Sequence, residues 1–153
     1  MDEAKTPLTA KLIASLYTEA MLLADEARAY FDRHGREERD SLDPLVRVGF
    51  SCESLKVTTR LMHVIAWLLT QRAVEAGELS PAQARRPSRR LGEAPESEPG
   101  SIERLPAAAV LLIEASQELY ARVKRLDQSG GVSATIPQPS PARSLLSRLE
   151  RSL

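Results

Sequence analysis

The stretch PLVRVGFSCESLKVTTRLMHVIAWLLTQRA, residues 44–73, decides the fold of this chain. Apolar or small residues recur in it three and four residues apart without a break, at Leu45, Val48, Cys52, Leu55, Thr59, Met62, Ala66, Leu69 and Ala73. This heptad spacing predicts a long α-helix whose seam packs on a partner helix, with Cys52 buried and inert. Asp43 before Pro44 can cap its start and Gly77 can end it, so we expect a helix over about 44–76.

A second apolar stripe lies in the latter half of the same segment. The stretch LMHVIAWLL, residues 61–69, is apolar nearly all round, and such a helix must be covered on more than one side. We therefore assign this stripe to a dimer or bundle interface, and we expect a homodimer because closed two-fold dimers are the commonest oligomers. The stripe consists of Leu61, Val64, Ile65, Trp67 and Leu68.

Two further amphipathic patterns flank this helix. Apolar residues three or four apart predict helices over about 7–33 and about 106–127, and the alternation typical of strands is almost absent. These patterns predict an all-α protein in which 7–127 form an antiparallel three-helix bundle. The stretch RRPSRRLGEAPESEPGS and its surroundings, 85–104, are poor in apolar residues and rich in Pro and Arg, which is typical of a flexible linker.

The residues after the third helix, 128–153, are predicted to form a flexible tail. Gly and Pro break regular structure in 129–142, where no large apolar face can form. The last stretch, RSLLSRLERSL, would place four leucines on one helical face with arginines opposite, as a short amphipathic peptide for a partner's groove. A frayed end is an equally weighted alternative, because isolated helices this short are marginal in water. The four leucines are Leu145, Leu146, Leu149 and Leu153.

Composition limits the classes of function. Lys plus Arg equals Asp plus Glu, at 21 each, so no net charge attracts the chain to nucleic acid or to an anionic membrane. The single cysteine excludes an internal disulfide and fits a reducing compartment, and the start of the sequence lacks a signal peptide pattern. The longest apolar run is about half the length needed to span a bilayer. We expect a cytoplasmic protein that is not inserted in a membrane.

The sequence offers little for catalysis. Two histidines, His34 and His63, are the supply of neutral bases, and His63 within the apolar stretch is more often a core or interface histidine than a ligand. The motifs of zinc proteases, di-iron sites, nucleophile elbows and phosphate-binding loops are absent from the sequence. We predict a protein that is not an enzyme, with no catalytic residue, no metal site and no cofactor.

Thr58 and Arg60 are the polar candidates for a contact with another protein. Two consecutive β-branched residues, Thr58 and Thr59, cost helix propensity in a helix interior. One interpretation is a polar notch for a partner at Thr58 and Arg60. The other is structural, with Thr59 filling a tight point and Arg60 pairing with an acid such as Glu53, and the sequence favours neither.

The segment ESLKVTTRLMHVIAWLLTQRAVEAGELSPAQA, residues 53–84, resembles the hallmark segment of the RcdA family, regulators of CtrA degradation in alphaproteobacteria. The stretches SLYTEAMLLADEARAYF and LIEASQELYARVKRLD are similar to the family in type and position. The resemblance covers most of residues 8–127. The linker 85–104 has no secure counterpart in the family pattern.

This resemblance implies a dimeric adaptor in cell-cycle proteolysis by the ClpXP protease. Such an adaptor joins the protease after a CpdR-like protein has primed it, and then delivers cargo such as a CtrA-like regulator or recruits a PopA-like adaptor that binds cyclic di-GMP. Tethering raises the local concentration of cargo at the protease and needs no catalytic residue. Two alternatives stay open: a helical dimeric scaffold unrelated to proteolysis, and a small enzyme or ligand-binding bundle with a polar pocket around His63 and Arg60.

Overall fold

The computed structural model describes residues 6–132 and 148–152, and in these ranges every regular element is a helix. Residues 148–152 are helical, and eight helical elements precede them. In chain order they are α1 (Thr6–Ala29) with a π-helical turn at its end (Tyr30–His34), α2 (Arg36–Asp40), α3 (Pro44–Glu75), α4 (Pro81–Ala84), a 3-10 turn (Pro87–Arg89), α5 (Pro99–Ile102) and α6 (Ala107–Gln128). The all-α bundle predicted from the periodicity is confirmed, and α1, α3 and α6 are its three long helices.

The first two long helices pack antiparallel. At one end the Phe31 ring meets the Phe50 ring edge to face, with centroids 5.3 Å apart. At the other end the Arg72 guanidinium lies over the Tyr17 ring, 5.0 Å from its centroid. Residues early in α1 therefore face residues late in α3, and aromatic and cation–π contacts close both ends of the pair.

The third long helix runs parallel to α3 and antiparallel to α1. Arg60 donates a hydrogen bond to Ser116, and Trp67, two turns further along α3, donates one to Asp127. Because both partners advance in the same direction, α3 and α6 point the same way. The segment 85–104 makes this possible, since it returns along the bundle before α6 begins. A segment of about 20 extended residues can span ~66 Å, more than the bundle requires.

The core lies where the three long helices meet. Four of the five residues of the second stripe, Leu61, Val64, Trp67 and Leu68, are buried within one chain, and Ile65 is half-buried. The heptad seam instead faces solvent: Cys52, which we expected to be buried, is exposed, as are Leu55 and Met62. The seam that we predicted to pack on another helix is therefore exposed, and the second stripe forms the core of one chain. The reason is that the face of α3 opposite the seam contacts α1 and α6.

No helix within the described ranges is both long enough and apolar enough to cross a bilayer.

Candidate protein-binding groove

An apolar groove of about 330 Å³ lies between α1 and α3. Small side chains on both helices open it: Ala24 and Ala27 on α1 face Ser54 and Thr58 on α3. Its apolar surface comes from Phe31 and Leu61, which are buried, and from Ile65 and Met62, which are half-buried and exposed. Concave apolar surfaces of this size with few polar groups are typical of sites that receive an apolar side chain of a ligand or partner.

The π-helical turn at the end of α1 positions Phe31 in the wall of this groove. It closes on Gly35, whose backbone N–H donates to the Tyr30 carbonyl. A Cβ at Gly35 would lie 2.8 Å from that carbonyl oxygen and 2.9 Å from the ring atom Cζ of Tyr30, so the close approach requires glycine. Single π-turns inside helices are frequent at functional sites. The turn rests on a cluster in which the Tyr30, Phe31 and Phe50 rings touch one another.

The charged groups at the rim of the groove belong to α1 and to the π-helical turn that follows it. Arg28 and Asp32, one turn apart and both exposed, present one positive and one negative charge beside the apolar floor. Near this end, Tyr30 donates a hydrogen bond of 2.7 Å to Glu38, which fixes α2 against the turn. Burial, with the Glu38 hydrogen bond and charge, raises the pKa of the Tyr30 hydroxyl. That hydroxyl therefore stays a neutral donor at physiological pH.

Thr58 lies at the groove, whereas Arg60 lies inside the bundle. Thr58 is exposed, and its hydroxyl donates to the Ser54 carbonyl one turn earlier at 3.1 Å. Arg60 is 2% exposed, because its side chain points from α3 toward α6 and the returning segment. A guanidinium in this position cannot contact a partner at the surface, which corrects our assignment of Arg60 to a protein-binding notch.

Arg60 instead belongs to a buried polar clamp, which we define as Glu53, Arg60, Ser97 and Ser116. The guanidinium donates to Ser97 Oγ at 2.6 Å, to the Pro95 carbonyl at 3.0 Å and to Ser116 Oγ at 3.1 Å. Ser97 in turn donates to the carboxylate of Glu53, which also accepts from Lys56. Burial lowers the pKa of Arg60, and the neighbouring Glu53 raises it in part. Residues 85–104 are thus fastened to the bundle through Pro95 and Ser97.

The remaining predicted contacts are distributed differently. Leu61, Val64, Trp67 and Leu68 are used in the core of one chain, so they are a bundle interface and are not accessible to a second copy. Leu149 is exposed. Leu145, Leu146 and Leu153 lie outside the described residues, so their assignment to a partner contact stays a prediction.

The described residues hold no constellation typical of catalysis. His34 is exposed at the end of the π-turn, and His63 is half-buried under Gly92, with its Nδ1 buried and lacking a hydrogen-bond partner in the described part of the chain. No cluster of three His, Cys, Asp or Glu side chains that could hold a metal is present within 6–132 and 148–152. The chemistry that this surface offers is apolar recognition with a charged rim.

Sequence reasoning did not identify the α1 side of the groove. Ala24, Ala27 and Phe31 follow the 3-4 spacing of an ordinary core stripe, and nothing in the sequence marks them as lining a concavity. A signal was present in the small residues, because alanines on α1 opposite Ser54 on α3 leave space that larger side chains would fill. Only the pairing of the two helices makes that space visible.

Comparisons with known proteins match the chain to a family model and to a solved structure. A family model described as "Protein of unknown function (DUF1465)" matches residues 4–153. The crystal structure of RcdA from Caulobacter crescentus CB15 is similar at 36% sequence identity, covers 79% of this chain and 92% of its own, and superposes with a TM-score of 0.64. No curated protein matches the sequence significantly. The resemblance to RcdA that the sequence indicated is confirmed.

Proposed function

Because the chain belongs to the DUF1465 family and is similar in sequence and structure to RcdA, we propose that it is a non-enzymatic adaptor in regulated proteolysis. In this role it tethers substrates or further adaptors to a ClpXP protease that a CpdR-like factor has primed. A CtrA-like regulator is the expected kind of cargo, reached directly or through a PopA-like adaptor, and the setting is cell-cycle control in the cytoplasm.

The groove between α1 and α3 is the observation that supports this proposal best. It presents an apolar floor of Phe31, Leu61 and Ile65 at the surface of a bundle whose described residues hold no candidate metal-binding cluster. A groove of this kind suits an apolar anchor from a short helix or extended peptide. Arg28 and Asp32 at the rim would orient such a peptide by charge, which affects specificity more than affinity.

A tether needs no chemistry of its own to accelerate degradation. Holding a cargo near the protease turns a bimolecular encounter into an intramolecular one, and the effective concentration can reach the millimolar range for short connections. The adaptor is expected to survive the reaction, because its role is to present the cargo and not to enter the pore.

The direct test is a reconstituted degradation assay. A CtrA-like cargo is incubated with ClpXP and a CpdR-like priming factor, with and without this protein at stoichiometric concentration, and cargo and adaptor are followed separately. Faster loss of cargo while this chain survives supports the proposal. Unchanged cargo decay across several cargoes, with the helical fold verified by circular dichroism, contradicts it and favours a dimeric scaffold unrelated to proteolysis.

A pair of variants on α1 tests the groove itself. Ala24→Trp places a large ring at a half-buried position that lines the groove, whereas Asp25→Trp places the same ring at the adjacent exposed position, outside the lining. Both change helix propensity by a few tenths of a kcal/mol. We expect the first variant to lose delivery of cargo and the second to retain it. Equal delivery by the two would remove the groove from the proposal.

A further inference from the structure

A polar cleft of about 450 Å³ lies between α3 and the start of the segment 85–104. We call it the His63 cleft. Its floor is one face of α3 over two turns and consists of His63, Ala66, Trp67 and Thr70. Its wall belongs to the 3-10 turn and the residues after it, namely Ser88, Arg89, Arg90 and Gly92. The cleft shares no lining residue with the groove between α1 and α3, so its role is a separate question.

His63 is a polar group of the floor that the bundle leaves without a partner. Neither ring nitrogen forms a hydrogen bond with the residues that the structure describes, although Nδ1 is buried. Most buried polar groups in folded proteins are hydrogen bonded, so an imidazole of this kind calls for an explanation. The ring packs against Gly92, where an added Cβ would lie 2.7 Å from Nδ1. His63 is therefore fixed at the cleft with its hydrogen-bonding capacity unused.

The wall holds two more polar side chains of this kind. The Arg89 guanidinium and the Ser88 hydroxyl are exposed, and neither forms a hydrogen bond or an ion pair within the described part of the chain. No carboxylate of the described residues lines the cleft. A guanidinium presents several N–H donors in a planar fork that matches the oxygens of an anion. The cleft thus offers one uncompensated positive charge with further donors beside it.

Floor and wall are joined by Asp127 at the end of α6. Its Oδ1 accepts a hydrogen bond of 2.9 Å from the indole N–H of Trp67 and one of 2.8 Å from Nε of Arg90. One carboxylate therefore fixes a residue of the floor and a residue of the wall. Because the cleft keeps its shape without a ligand, less conformational entropy is lost when a ligand binds.

The arrangement of the donors suits a phosphate better than a carboxylate. A carboxylate has two oxygens in one plane, whereas a phosphate monoester presents three acceptor oxygens in different directions. Arg89 and Ser88 lie on the wall and His63 lies on the floor, so an acceptor with oxygens on both sides uses all three. Further along the floor, the Thr70 hydroxyl donates to the Ala66 carbonyl at 3.1 Å and can still accept a hydrogen bond.

We propose that the His63 cleft binds a small phosphorylated sugar, either free or as part of a nucleotide. The phosphate accepts hydrogen bonds from Arg89, Ser88 and His63, and a sugar hydroxyl donates to Thr70. The volume of the cleft falls in the range of about 300–1,000 Å³ that is typical of small-molecule sites. This binding goes beyond the adaptor role and does not depend on it, because the cleft and the groove have separate linings.

Isothermal titration calorimetry on the full chain tests the class of ligand. The probes are ribose 5-phosphate and adenosine 5′-monophosphate. Ribose is the control without phosphate, and a phosphoserine peptide is the control for a protein ligand. We expect saturable binding of both phosphate esters and none of ribose. Absence of binding by both esters at millimolar concentration would overturn the proposal. Tighter binding of the phosphoserine peptide would also overturn it and assign the cleft to a partner protein.

Two matched arginines test whether the cleft is the site of binding. Arg89→Gln removes a charge from the lining, and Arg86→Gln removes the same charge from an exposed position outside it. Neither side chain contributes a hydrogen bond or ion pair to the described bundle, so both variants should fold. We expect Arg89→Gln to weaken the binding of ribose 5-phosphate at least about tenfold, which is typical for the loss of a charged hydrogen bond. Equal weakening by Arg86→Gln would indicate attraction to positive charge in general and overturn the site.

The two histidines of the chain allow the bound phosphate to be located by NMR. The ring signals of His63 are distinguished from those of His34 with a His34→Gln variant, and His34 is exposed at the end of the π-turn. We expect ribose 5-phosphate to shift the signals of His63 and to leave those of His34 in place. Unchanged His63 signals at a saturating concentration of the ester would overturn the assignment. These experiments contain neither protease nor cargo, so their failure would not affect the proposed adaptor function.

Discussion

The guanidinium of Arg60, in the middle of α3, donates a hydrogen bond of 2.6 Å to the hydroxyl of Ser97 in the connection between α4 and α6. The same hydroxyl donates to the carboxylate of Glu53, which lies two helical turns before Arg60 on α3. Ser97 therefore lies between two buried charges of opposite sign and satisfies both. Because unsatisfied buried charges are costly, this contact couples the connection to the stability of the whole bundle.

Ser97→Ala should lower the free energy of unfolding by about 1–3 kcal/mol, because it removes one acceptor from Arg60 and one donor from Glu53 while both stay buried. Urea unfolding followed by circular dichroism measures the change. Ser101→Ala is the matched control, since Ser101 is exposed on the same connection. A loss for Ser97→Ala no larger than that for Ser101→Ala would mean that the clamp contributes nothing measurable.

Gly92→Ala should destabilise the fold by about 1–3 kcal/mol through overpacking. A Cβ at this glycine would lie 2.7 Å from Nδ1 of His63, so the ring or the connection has to move. The loss should shrink in a His63→Ala background, where the ring is gone. A double-mutant cycle on unfolding free energies measures this coupling. Gly100→Ala, with nothing within 4 Å of its added Cβ, is the neutral control, and additive losses at Gly92 and His63 would contradict the contact.

Glu75→Gln should stabilise the protein at neutral pH by about 0.5–1 kcal/mol. Glu75 ends α3, where a negative charge opposes the helix dipole, and its Oε1 is buried without a hydrogen-bond partner among the described residues. Burial raises the pKa of this carboxyl above its ordinary value of 4.5, against the opposing charge of Arg72.

The pH dependence of that variant follows from the direction of the pKa shift. A carboxyl whose folded-state pKa is raised contributes most to stability below pH 4.5, where it is neutral in both states, and loses that contribution as the pH rises through the folded-state pKa. The advantage of Glu75→Gln should therefore grow with pH and vanish in acid. Chemical unfolding at several pH values measures it, with Glu78→Gln as the exposed control. A constant difference would show that titration of Glu75 is not its source.

Deletion of 143–153 should slow the degradation of cargo in the reconstituted assay while the thermal unfolding of the bundle stays the same. The basis is the sequence spacing of Leu145, Leu146, Leu149 and Leu153, which would place the four leucines on one face of a helix. Leu149 is exposed. A second chain with the four leucines changed to serine and the length kept separates sequence from length. Delivery by either variant at the full rate would exclude the tail as a docking peptide.

The sequence predicts the long helices because their apolar spacing is local, but it does not predict which face of α3 is inside. Two seams with 3-4 spacing run along this helix. One consists of apolar or small residues, with Thr59 as its polar member, and the other holds Glu53, Val57, Arg60, Val64, Trp67 and Gln71. Hydrophobicity alone favours the first as the core, yet the second is buried. Its polar members are satisfied by residues as far as 61 positions away, such as Val132 on Gln71, and such partners cannot be identified from local pattern.

The direction of α6 relative to α3 is indicated in the sequence by the length of the connection 85–104, which an analysis of apolar periodicity does not consider. A connection as long as 85–104 is not needed to join antiparallel neighbours, for which a few residues suffice. Its length permits a return along the bundle. A contact on this path is the hydrogen bond of 2.8 Å that the Tyr120 hydroxyl on α6 donates to the Gly92 carbonyl. The many Arg and Glu residues of this connection predicted a solvated linker. A few hydrogen bonds to its backbone, such as those to the carbonyls of Gly92 and Pro95, are nevertheless enough to hold the connection on the bundle.

The clamp also determines where the chain would accept a reporter domain. An insertion between Gly92 and Ser97 would separate the Gly92 carbonyl, which Tyr120 binds, from the Ser97 hydroxyl, which Arg60 binds. A fluorescent fusion at this place would therefore follow a protein whose bundle is damaged. Gly100, a few residues on, is exposed and has nothing within 4 Å of a Cβ added to it, so we expect a fluorescent protein inserted there to leave Ser97 in place. The same connection thus offers one site that would abolish the fold and one suited to following the protein in living cells.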